Sequence, residues 1–126
     1  MVVVDTSVWV DYLRNPQSGS GRAMDLLLFR GEVSMVGMVL SEILQGARTD
    51  SEFAALRDRL IALEFLEVTL ETWIKVGEIA LELRRLGFQV PLTDLTIAAV
   101  AIQHNQSVYT LDQHFQRVPG LELYEP

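Results

Sequence analysis

The chain alternates short, β-branched apolar runs with longer helical stretches, and that alternation leaves few folds open. Val2-Val3-Val4 is apolar without a break, as a strand covered on both faces requires. Comparable short runs fall at residues 32–36, 66–68, 107–111 and 121–124. Helical patterns lie between them, at residues 6–13, 22–30, 38–47, 70–86 and 94–104. Strand and helix in turn predict an α/β fold. The expected architecture has three layers, a short parallel sheet of four to five strands flanked by helices, joined by right-handed crossovers. The 126 residues read as a single domain, 1–126, with no repeat and no linker.

Local signals refine this plan. Thr6 and Ser7 offer N-cap hydroxyls for the first helix, which stops at Asn15-Pro16. Residues 17–21 have the composition of a flexible loop. Thr49 and Glu52 form the pattern of a capping box, and Phe53, Leu56, Leu60 and Leu63 mark an inward face behind it. The helix at 70–86 has one polar stripe and is otherwise mostly apolar, which predicts burial against the sheet and against a second subunit. A short helix at 113–117 precedes the last run.

Composition excludes several classes. The chain has no cysteine, so disulfide scaffolds, zinc-thiolate sites and thiol catalysis are out. No apolar run approaches the ~20 residues of a membrane span. The N-terminus lacks the pattern of a secretory signal, and a cytoplasmic location is expected. The net charge of −7 argues at first against a nucleic-acid partner. Local cancellation of acidic charge by a divalent ion weakens that argument, and nine of the ten basic residues are Arg, the planar donor suited to phosphate.

Four acidic residues carry the chemistry. Asp5 ends the first strand, Asp112 follows the strand at 107–111, and Asp94 opens an apolar helix. Glu42 sits about one turn into the helix after the second strand. Ligands of open parallel sheets bind at the carboxyl ends of the strands, where the helix N-termini also face, so all four reach one edge. Singly, Asp94 and Asp112 read as ordinary helix-start carboxylates and Glu42 as a solvent-facing residue. Together they read as a metal site. Two carboxylates ~4 Å apart repel by about 4 kcal/mol at an effective dielectric near 20, so a packed group needs cations or protons. Oxygen-only donors favour Mg²⁺ or Mn²⁺ over zinc, and such ions support phosphodiester hydrolysis. His104 and His114 are too few for a zinc site and read as structural.

On these residues the chain resembles the PIN-domain ribonucleases, specifically the VapC-type toxins of toxin–antitoxin pairs. The resemblance covers essentially the whole chain. It rests on Val4-Asp5-Thr6-Ser7-Val8-Trp9-Val10-Asp11, Ser41-Glu42-Ile43-Leu44-Gln45-Gly46, Asp94-Leu95-Thr96-Ile97-Ala98-Ala99-Val100-Ala101, Thr110-Leu111-Asp112-Gln113-His114-Phe115 and the closing Pro119-Gly120-Leu121. It implies a PIN-like fold, Mg²⁺- or Mn²⁺-dependent endoribonuclease activity on RNA, homodimerisation, and inhibition by a VapB-type antitoxin. The family's acidic site carries over to Asp5, Glu42, Asp94 and Asp112, with Asp5, Asp94 and Asp112 as metal ligands. Its hydroxyl positions fall on Thr6 or Ser7 and on Thr110. His114 stands where some relatives have a further acid, which implies one firmly held ion and leaves a second open.

The residues also speak to rivals. A haloacid-dehalogenase-type phosphatase needs a second Asp where Ser7 stands, and an adhesion module needs Ser where Trp9 stands. A receiver domain needs a late lysine, but the chain's one lysine is Lys75. A glycine-rich phosphate loop is missing. The alternative from another class is a catalytically silent PIN-fold binding module whose acidic crevice accepts a partner's arginine. Trp9, Tyr12, Leu13 and the helix around residues 26–29 are expected to form either core or an apolar groove for an antitoxin helix.

Overall fold

A computed structural model describes all 126 residues. The elements run β1 (Val2–Val4), α1 (Thr6–Arg14), α2 (Gly19–Phe29), β2 (Val33–Val36), α3 (Gly37–Gln45), α4 (Asp50–Leu60), β3 (Glu64–Leu66), α5 (Leu70–Arg85), α6 (Leu92–Gln103) and β4 (Ser107–Tyr109). A 3₁₀ turn at Gln113–Arg117 follows. The four strands form one parallel sheet in the order β3-β2-β1-β4. β1 is central, pairing Val3 with Ser34 on one side and with Val108 on the other. Every residue of β1 and β2 is buried, which accounts for their apolar character, broken only by the buried Ser34.

The strand order reverses between β1 and β4. Right-handed crossovers then send the helices after β1 and β2 to one face, and those between β3 and β4 to the other. The packing follows this division: α1 lies on α2 and α3, α3 on α4, and α5 on α6. A cluster of 28 buried apolar residues joins both layers to the sheet. α6 is its centre, with residues 95–101 all buried. No helix is long and apolar enough to cross a membrane.

The expected three-layer α/β plan is observed, with differences at its margins. The third strand is Glu64–Leu66 rather than residues 66–68. Thr69 and Thr72 form a capping box at the start of α5, and this pulls the chain out of the sheet directly after Glu67 and Val68. The last run makes a single bridge, Leu123 to Val108, because β4 offers only three residues to pair with. The sheet therefore has four strands. Residues 17–21 are not a loose loop, since α2 begins at Gly19 and the Ser18 hydroxyl accepts from the Gly21 amide at 2.9 Å. A Cβ on Gly21 would stand 2.6 Å from the Pro16 carbonyl oxygen, so only glycine fits this approach of α2 to the end of α1. Phe53, expected on the inward face of α4, is 41% exposed.

Candidate active site

The reversal between β1 and β4 creates the crevice where ligands of open parallel sheets bind. Asp5 lies at its floor, only 5% exposed, as the residue that ends β1 and precedes α1. Its backbone N–H donates to the Tyr109 carbonyl at 2.9 Å, so the main chain fixes it against the end of β4. Its side chain does not cap α1. Instead Asp5 Oδ2 accepts from the Ser7 hydroxyl at 2.8 Å and from the Thr110 hydroxyl at 2.9 Å.

These hydroxyls extend the network. Ser7 Oγ accepts from the Leu111 N–H at 3.0 Å, and Thr110 Oγ1 from the Asp112 N–H at 2.9 Å. The loop after β4 is thereby tied to the loop after β1, and Asp112 is held at a set height above Asp5. Asp112 in turn accepts from the His114 N–H at 2.9 Å, which starts the 3₁₀ turn. The N-cap role expected of Thr6 and Ser7 is not observed, because Ser7 spends its proton on Asp5 and Thr6 is already the first helical residue.

The other wall is built differently. Asp94 sits in the first turn of α6, and Glu42 stands partly buried on α3. Burial pushes the Asp94 carboxyl above its usual range, a hydrogen bond from His114 opposes this, and the charges of Asp5 and Asp112 push it further up. Burial also raises Glu42, with Thr6 opposing and Asp5 and Asp94 adding to the rise. Thr6 is close enough to temper Glu42, yet its buried Oγ1 makes no hydrogen bond of ordinary length. Glu42 therefore feels the charges of Asp5 and Asp94, and Asp94 those of Asp5 and Asp112, which links the four expected acids in one cluster.

His114 is the correction. Rather than a structural residue elsewhere, it reaches into the cluster, with Nδ1 3.1 Å from Asp112 Oδ1 and 3.3 Å from Asp94 Oδ2. Ligands at right angles around an ion with bonds of about 2.0–2.2 Å lie roughly 3 Å apart, and the donor atoms of Asp94, Asp112 and His114 all fall within 4.8 Å of one another. The donor set fits a hard or borderline divalent ion. Asp5 is not part of that triplet, though its charge acts on Asp94. Sequence reasoning also missed Arg117, which lines the crevice of about 650 Å³ beside Ser7, Asp112 and His114. The one available signal was its place three residues after His114 in a tight turn. His104, by contrast, is exposed at the end of α6 and takes no part.

Comparison with known proteins bears on this geometry. The PIN domain model matches residues 2–121. Ribonuclease VapC21 of Mycobacterium tuberculosis is 32% identical over 101 residues, 78% of this chain and 73% of that protein. Ribonuclease VapC11 of the same organism is 31% identical over 122 residues, covering 91% of this chain and 89% of the relative. The chain belongs to the VapC ribonucleases of the PIN-domain family. The fold of this PIN domain is also that of the DNA-bound VapBC structure from Salmonella typhimurium, with a TM-score of 0.83 at 23% identity over 98% of this chain and 96% of that one.

Proposed function

We propose that this VapC-type toxin cuts RNA internally by divalent-ion-assisted hydrolysis, with Asp5, Asp94 and Asp112 as ligands and Glu42 as the base. One observation carries the reading: acids from four separate elements act on one another's charge, and the His114 imidazole bonds two of them. Mg²⁺, or Mn²⁺ in its place, would supply positive charge against the phosphate oxygens and make a nearby water easier to deprotonate. Glu42, its carboxyl raised by burial, is suited to accept the proton of the attacking water near neutral pH. Ser7 and Thr110 hold Asp5 in one orientation, and Thr6 tempers Glu42.

The reading includes two protein partners in a cytoplasmic setting. An apolar pocket between α1, α2 and α4, lined by Tyr12, Leu13, Leu28, Leu56 and Leu63, is suited to a helix of a VapB-type antitoxin. Its floor, Trp9, is core at 3% exposure, and Leu26 and Phe29 lie outside the pocket. On α5, Leu70, Trp73, Ile74 and Leu81 make an exposed stripe suited to a second copy of the chain.

The test is cleavage of cellular RNA by the purified chain in Mg²⁺ and Mn²⁺, with EDTA and Asp5→Asn controls, followed by sequencing of the new RNA ends. Ion-dependent cuts that vanish in D5N support the nuclease. Saturable partner binding with no cleavage under any divalent ion would leave only the arginine-accepting module.

A further inference from the structure

His114 brings to the acidic crevice a donor of a kind that the hydrolytic chemistry does not use. Its Nδ1 lies 3.1 Å from Asp112 Oδ1 and 3.3 Å from Asp94 Oδ2, so one nitrogen faces two carboxylates. Main-chain bonds fix this pose. Asp112 Oδ1 accepts from the His114 N–H at 2.9 Å, and the Asp112 N–H is itself held by Thr110 Oγ1 at 2.9 Å. Asp94 comes from the first turn of α6, which packs against the same 3₁₀ turn. The His114 side chain is 46% exposed, so the three donors are open to solvent on one side.

One nitrogen and two carboxylate oxygens differ in kind from the set of Asp5, Asp94 and Asp112. Oxygen-only sets suit Mg²⁺ and Mn²⁺, whereas imidazole suits zinc. Three protein ligands with water in the fourth place make an open zinc site. Tetrahedral bonds of about 2.0–2.1 Å put ligand atoms about 3.3–3.4 Å apart. The 3.1 and 3.3 Å found here come close to that spacing. Two histidines are too few for a zinc motif along the chain, yet in space carboxylates complete the set. Asp5 stands outside this triplet, whose donor atoms all lie within 4.8 Å of one another. Both sets need Asp94 and Asp112. Two divalent ions drawn onto the same carboxylates repel far more than two single charges would, and a neutral imidazole adds no negative charge to hold them together. The two sets are therefore alternatives.

We propose that Asp94, Asp112 and His114 form a zinc site, and that Zn²⁺ bound there takes both aspartates from the hydrolytic ion and stops cleavage. Nδ1 of the neutral imidazole gives its lone pair to zinc, and any proton it carried passes to solvent. Zinc binding rests on the donor set alone. The inhibition rests on the ribonuclease reading and deepens it.

The test reads the metal directly, without RNA. In protein whose histidines are labelled with ¹⁵N, Zn²⁺ should move the Nδ1 resonance of His114 and leave those of His104, at the far end of α6, in place. His114→Ala should weaken zinc binding in calorimetry by at least about 10–100-fold, the cost of losing even a residue that only orients a ligand. His114→Asp, which supplies an oxygen and a charge instead, should bind Mn²⁺ better and zinc worse than the parent. Asp5→Asn should do the reverse, weakening Mn²⁺ and sparing zinc. Zinc added to the Mn²⁺-loaded parent should release Mn²⁺, seen by its paramagnetic resonance signal, and slow RNA cleavage in step. An unmoved Nδ1 resonance, or unchanged zinc affinity in H114A, overturns the site. Equal losses of zinc and Mn²⁺ affinity in D5N overturn its separateness, and zinc that binds without releasing Mn²⁺ overturns the inhibition. Should zinc move Nδ1 and displace Mn²⁺ while the parent cuts no RNA in any ion, the site holds and the ribonuclease reading falls.

Discussion

The two walls of the acidic crevice are built on opposite principles. Along the β1–β4 seam, Asp5 and Asp112 are held by hydroxyls and main-chain amides in one connected network. Across from them, Glu42 and Asp94 sit in desolvated places where neighbouring acids raise their carboxyls, and the Thr6 hydroxyl beside them is unpartnered. The seam derives its geometry from the protein, whatever is bound. The opposite wall carries acidic charge, with the His114 imidazole bonded to Asp94. A site that must grip an ion in a fixed place needs the first kind of wall, and one that must draw the ion in needs the second.

The largest effect should come from Asp5, where the two loops join. Asp5→Asn keeps the size and most hydrogen bonds of the side chain, so the melting temperature should stay close to the parent's. RNA cleavage should fall below detection in Mg²⁺ and Mn²⁺ alike, and wild-type turnover in a purified preparation would remove Asp5 from the mechanism. Glu42→Gln probes the other wall. If Glu42 takes the proton, kcat should drop about 10²–10⁴-fold while KM for RNA changes little. A parallel change in KM would make it a binding residue instead. Thr110→Ala cuts the seam at its middle, leaving Asp5 Oδ2 with the Ser7 hydroxyl alone and freeing the Asp112 amide. Mn²⁺ affinity measured by calorimetry should weaken about 10–100-fold, the usual cost of losing a partner that orients a ligand. An unchanged affinity would mean that the network is structural only.

How much of this was legible in the sequence also divides along the two walls. Asp5 could be read because a charge directly after three buried valines is conspicuous, and parallel topology assigns strand ends to one edge. Asp94, Asp112 and Glu42 followed from the same rule. The roles of the hydroxyls were less accessible. Ser7 and Thr110 are separated by 103 residues, and only the pairing of β1 with β4 shows that both serve Asp5 rather than a helix start. His114 is undervalued in the sequence because two histidines are too few for a zinc site, when its neighbours in space are carboxylates on two elements. The third strand was misplaced for a local reason. Residues 64–66 are mostly exposed at the sheet edge, so their alternation is weak, while Glu67 and Val68, which alternate with Leu66, lie outside the sheet just before the α5 cap. Periodicity locates elements that bury a face; it says little about edges.

The smallest expected effect tests the charge imbalance itself. Where Glu42 and Asp94 are ionised in both the native and unfolded chains, the native state alone bears their desolvation and mutual repulsion. As the pH falls, the native state takes up protons first, because its values for these groups are raised. Metal-free stability attributable to them should therefore rise on acidification through the raised values. It should stop rising below the ordinary carboxylate range, where the unfolded chain is protonated too. Asp11 works in the opposite sense and further toward acid. Hydroxyls of Ser20 and Ser18 hold its carboxyl below the usual range, so its contribution is lost only as the pH passes that lower value. Asp94→Asn should consequently stabilise the metal-free protein at pH 7 by about 0.5–2 kcal/mol, the scale at which binding sites commonly trade stability for function. It should also flatten the acid-side gain and reduce the stabilisation that Mn²⁺ gives the parent. A destabilised D94N whose melting profile merely parallels the parent's across pH would show that the second wall is not under electrostatic load, and the contrast between the walls would collapse.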